Sequence, residues 1–163
     1  TQTSDNVEVT IACAVQALNV YYLPDFIQWK LEQKFKKVNM WPFGAGGISQ
    51  HFVYWPAHLN VKSLPADFKA KCREKYESWY PWWEANWELG IPEWHKGKVD
   101  YKQFRSAEYG IKRLNGILSF MESEDWSQRL PEMKEFLGLC DKQRGITFAE
   151  TFPEMIEIFK DAQ

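Results

Sequence analysis

Three histidines, three cysteines and one glycine-rich run are the residues of this 163-residue chain with the means to hold a metal, attack a carbon or cradle a phosphate. His51 and His58 stand seven apart, a spacing that does not put them on one face as metal ligands. Structural or surface roles are their favoured reading. His95, between Trp94 and Lys96, reads as a solvated loop residue. Cys13, Cys72 and Cys140 are far apart and fall in different predicted elements, so they match neither a disulfide framework nor a metal-ligand spacing. They read as buried core thiols in a reducing, cytoplasmic setting. Gly44, Ala45, Gly46 and Gly47 lead into a predicted strand, whereas a phosphate loop opens a helix. A flexible connection is the simpler account. The acidic pairs Glu122 with Glu124 and Glu154 with Glu157 lie near helix ends, where solvation and the helix dipole explain them. No serine, cysteine or lysine stands in a nucleophile motif, and a Gly-x-Ser-x-Gly elbow is absent. The sequence therefore assigns no catalytic residue and no metal ligand.

The elements that would position these residues follow from periodicity. Val7, Val9, Ile11, Cys13 and Val15 alternate with Glu8, Thr10, Ala12, Ala14 and Gln16, which predicts a strand. Pro24 and Asp25 look like a first helical turn, with Ile27, Leu31 and Phe35 as the buried stripe. A second strand is expected over Ile48 to Trp55, ended by Pro56, and a short extended piece over His58 to Leu64. Pro65 opens a long helix with Phe68, Cys72, Tyr76, Trp79 and Trp83 inward, which Pro81 should kink or divide. Further helices carry the stripe Phe104, Ala107, Ile111, Leu114, Leu118 and Met121, and then Met133, Leu137 and Cys140 behind Pro131, with Gly145 as a stop. A last helix after Pro153 should turn Met155, Ile156 and Phe159 inward.

The expected fold class is α/β: two or three strands of a partial (β/α) barrel-like sheet followed by a C-terminal helical region. Residues 1–64 would form the partial barrel segment, and 65–163 the helical region packed on it in one structural domain. With 45% hydrophobic and 17% aromatic residues the chain has ample core material. Its 20 basic and 22 acidic residues are spread without like-charge blocks, which argues against nucleic acid and an anionic membrane surface. Apolar runs fall far short of a membrane span, and no targeting signal is visible. Parallel strands should be covered on both faces and edges, so a missing barrel half or self-association, as a homo-oligomer, is the expected partner. The nine tryptophans, concentrated at Trp79, Trp82, Trp83, Trp87 and Trp94, suit core packing or a chain interface, and their acidic neighbours disfavour base stacking.

Three stretches carry a resemblance. "VTIACAVQALNVYYLPDFIQW" from Val9 to Trp29 resembles a late barrel strand and helix of radical S-adenosylmethionine enzymes, and "HFVYWPAHLNVKSLPADFKAK" resembles the next pair. "LCDKQRGITFAETFPE", from Leu139 to Glu154, resembles the C-terminal pattern LDKxRxxxFxxxFPE of the Fe–S oxidoreductases that carry a short Twitch-type extension. The resemblance implies the C-terminal part of such an enzyme, with Glu8, Thr10, Ala12, Ala14 and Gln16 facing the barrel lumen. It nominates Gln16, Asn19, His51 and Val53, at the strand ends, as cofactor-binding positions. The family's cysteine triplet and early Gly-Gly-Glu are missing here, so the chain alone would bind no cofactor and would not be catalytically competent. S-adenosylmethionine and a 4Fe–4S cluster are expected in the full-length enzyme. The other reading is a non-catalytic protein-interaction domain with a tryptophan-rich interface.

Overall fold

A computed structural model describes residues 11–35, 48–90 and 106–160. Strand β1 (Ile11–Val15) is followed by helix α1 (Leu23–Glu32) and strand β2 (Ile48–Phe52). Helices α2 (Ala66–Asn86), α3 (Ala107–Glu122), α4 (Leu130–Arg144) and the short α5 (Phe148–Thr151) follow, and a 3-10 segment, Pro153–Phe159, closes the described part. The architecture is α/β and mostly helical.

The strands pair in parallel, Ile11 against Ile48 through to Val15 against Phe52. Alternation then gives the sheet two unlike faces. Val15 and Ile48 lie on the covered face, 1% and 0% exposed, where the Phe52 ring meets Phe120 of α3 at 4.1 Å. Ala12, Ala14 and His51 lie on the other face and are exposed. One core joins the sheet to the helices, with Ile27 and Leu31 from α1, Phe68, Cys72 and Tyr76 from α2, Leu114, Leu118 and Met121 from α3, and Met133 from α4.

Local signals shape the helix ends. Proline stands in the first turn of α1 and of α4, where its missing N–H has no helical partner to lose. Ser106 caps α3 by accepting from the Tyr109 N–H, and Gly145 ends α4 at φ 67°, a conformation that side chains with a Cβ resist.

Several expectations need correction. The described residues contain a two-stranded sheet, which does not close a barrel. The extended piece expected over 58–64 is a pair of 3-10 turns, Ala57–Leu59 and Val61–Ser63. The Asn60 side chain accepts from the Lys62 N–H and the Ser63 hydroxyl donates to the Ala57 carbonyl, so local side-chain bonds replace a strand ladder. Pro81 does not divide α2, which runs through it; the burial of Trp79 and Trp83 on either side holds the helix against the lost hydrogen bond. Phe35 lies past the end of α1 and is half-buried. The last segment turns Met155 and Ile158 inward and leaves Ile156 43% exposed, because a 3-10 turn repeats every three residues and not at the mixed α-helical steps. Val7, Val9, the 44–47 glycine run, His95, Trp94 and Phe104 lie outside the described residues.

Trp79 and Trp83 belong to the core, at 8% and 3% exposure. Their indole nitrogens donate to Gln28 Oε1 at 3.0 Å and to the Ala107 carbonyl at 2.8 Å. Trp82 and Trp87 are half-buried against them.

Candidate site at the strand ends

The four nominated positions meet at the C-terminal end of the sheet, but they differ in what they have left to offer. Asn19 sits in the turn after β1, and its side chain is spent on the backbone. Its Oδ1 accepts from the Gln16 N–H and its Nδ2 donates to the Ala14 carbonyl, each at 2.9 Å. It is a turn former that fixes where β1 stops. The Gln16 carbonyl accepts from the Asn19 and Val20 N–H groups at 3.1 and 3.0 Å, which leaves its half-buried side chain beside the open face. The Val53 N–H extends the ladder by donating to the Val15 carbonyl at 3.0 Å; it contributes backbone order and an apolar side chain.

His51 is the position with chemistry to spare. It pairs with Ala14 across the sheet, is exposed, and its Nε2 lies 2.8 Å from Ser49 Oγ. That contact orients the ring. Among the described residues no carboxylate bonds to His51, so none of them completes a hydrolytic triad with Ser49. The small Ala12 and Ala14 leave the face beside the imidazole open. Beyond the strand end stand Tyr54 and Trp55, 64% and 84% exposed.

The thiols do not fit an iron–sulfur cluster. Cys13 in β1 and Cys140 in α4 are half-buried, while Cys72 in α2 is buried, and desolvation pushes the Cys72 thiol up to about 12. Burial raises Cys13 as well. A cluster needs several converging thiolates, and among the described residues no group of three or more His, Cys, Asp or Glu side chains could hold a metal ion. Among the same residues no helix is long and apolar enough to cross a membrane.

Sequence reasoning missed a buried basic cluster. Lys62 and Lys69 are each 7% exposed. The Lys62 ammonium pairs with the Glu124 carboxylate and lies over the Phe120 ring, 4.5 Å from its centroid, while Lys69 Nζ donates to the Glu124 carbonyl at 2.8 Å. Desolvation lowers Lys69, against the pull of Asp125 and Glu122. The lysines fasten the end of α3, where the carbonyls of a helix lack partners. Nothing in a periodicity pattern marks such a long-range tether. His58, the other described histidine, packs on Phe136 at 5.2 Å and lies 3.8 Å from Glu132, which is a packing role.

Compared with known proteins, the chain matches no family model, no curated protein and no solved structure.

Proposed function

We propose that this chain is the C-terminal portion of a radical S-adenosylmethionine Fe–S oxidoreductase or modifying enzyme, not competent alone, supplying two late strands of a barrel-like sheet and a helical cap. The observation that carries the reading is the open face of the parallel strand pair. Parallel sheets are normally covered on both faces, yet Ala12, Ala14 and His51 meet solvent. A further layer or further strands would cover that face and enclose His51 and Gln16. The motif from Leu139 to Glu154 supports the same family. The S-adenosylmethionine and cluster sites belong, on this reading, to a preceding barrel half. A cytoplasmic setting goes with it, since free thiols in separate elements suit a reducing compartment.

Anaerobic loading of the isolated chain with iron and sulfide tests the division of labour. The expected result is a colourless protein and no reductive cleavage of S-adenosylmethionine. A stoichiometric brown cluster would overturn the reading.

Exposed Tyr54 and Trp55 favour a second reading, a non-catalytic interaction domain. Large aromatic side chains dominate protein interfaces. Light scattering separates the two. If the open sheet face associates, Ala14→Lys abolishes oligomers and Trp55→Ala leaves them; the interaction-domain reading expects the reverse. A strict monomer at every concentration would count against the self-association that the open face implies.

A further inference from the structure

Asp141, Thr147, Glu150 and Glu154 of the Leu139–Glu154 stretch bond within the chain, and following them leads back to the strand end. The Phe148 N–H is shared by both Asp141 carboxylate oxygens at 3.0 Å, which ties α4 to α5. Thr147 and Glu150 cap α5 reciprocally. The rings of Phe148 and Phe152 lie 5.4 Å apart, and Phe152 lies 5.5 Å from Tyr22. The Tyr22 hydroxyl then donates to Glu154 Oε2 at 2.6 Å.

Tyr22 ends the 3-10 turn Val20–Tyr22 that links β1 to α1. On the core side, the Tyr76 hydroxyl donates to the Val20 carbonyl at 2.7 Å. Val20 and Asn19 both donate to the Gln16 carbonyl, and the Asn19 side chain returns to Gln16 and Ala14. A continuous chain of bonds therefore joins Glu154 to the last residues of β1.

We infer that residues 147–159 form a clasp on the β1–α1 turn, with Phe152 and Glu154 holding Tyr22, so that Tyr22 and Glu154 are positioning residues for the Gln16 strand end. The clasp is rooted in the core by Met155 and Ile158, 0% and 4% exposed, and its outer side is fastened by the Tyr22 bond, the Phe152 contact and the Lys71–Glu157 ion pair at 2.7 Å. Hydrogen bonding agrees with this, since Glu154 is held below the usual carboxylate range first by the Tyr22 hydroxyl. The inference depends on this chain's own contacts and not on the enzyme class proposed above.

Amide hydrogen exchange on the whole chain tests it. Tyr22→Phe removes the hydroxyl and keeps the ring, and Glu154→Ala removes the acceptor. Each variant should speed exchange at the Gln16 and Val20 amides about tenfold, as expected for the loss of one charge-assisted bond. The double variant should be no faster than either single one, and amides within α3 should be unchanged. Unchanged exchange at Gln16 and Val20 would overturn the clasp. So would a uniform rise that includes α3, because that reports global destabilisation, and so would additive effects, because the two side chains would then act separately.

Discussion

Gly110 has no room to become any other residue. A Cβ added there would stand 2.2 Å from Trp83 Cζ2, and the indole cannot step aside, because its nitrogen is bonded to Ala107 one turn earlier in α3. Glycine in a helix is ordinarily unfavourable by roughly 1 kcal/mol relative to alanine. Here close approach of a ring reverses the preference. Gly110→Ala should therefore destabilise the chain by about 1–3 kcal/mol through overpacking, read as a lowered urea midpoint with an unchanged slope. Gly116 sits in the same helix with open space around its Cα, and Gly116→Ala should stabilise. The contrast between two glycines in one helix is invisible to any propensity scale. Asn19 gives a related lesson: the residue nominated for a ligand is committed to the backbone on both sides of its amide.

At the scale of elements, punctuation was legible and continuation was not. Pro24, Pro65 and Pro131 mark helix starts because their effect on φ and the lost N–H is confined to a residue or two. Gly145 marks a stop for an equally local reason, its positive φ. Gly145→Ala should accordingly cost about 1 kcal/mol, measured by denaturant titration, although a Cβ there would touch nothing. The fate of Pro81 was not legible, since α2 continues through it on the strength of rings buried against α1 and α3. Nor was the 57–63 stretch, whose alternation imitates a strand while Asn60 and Ser63 bond locally. Among the nominated residues, the register places Gln16, His51 and Val53 at one end of the sheet. The Ser49 contact to His51 follows from their spacing of two on one face.

The whole molecule is held at its periphery by carboxylates. Hydrogen bonds from Lys62 and Trp126 lower Glu124, the bonds to Ser127 lower Asp125, and those from Thr147 lower Glu150. Tyr22 lowers Glu154, and Lys71 lowers Glu157. A carboxylate whose folded pKa is depressed contributes stability that is complete above its unfolded value, and it loses that contribution as pH falls through the folded value. The urea midpoint should thus be flat from neutrality to about pH 5 and fall below about pH 4, with a smaller fall at high salt because these pairs are exposed. A midpoint that stayed level to pH 2 would show that the surface pairs contribute nothing. The transition should be single, since one core spans the strands and every long helix.

By itself the sequence determined the α/β class, the alternating strand, the helix starts and stops, and most of the inward stripe of α2 and α3. Each of these depends on a period or a backbone preference expressed within a few residues. Only the tertiary structure decided that the sheet has one covered and one open face, and that Lys62 and Lys69 are buried at the end of α3. It alone joined Tyr22 to Glu154 across 132 positions. Such contacts are set by how packed elements bring distant side chains together, and no local period encodes that meeting.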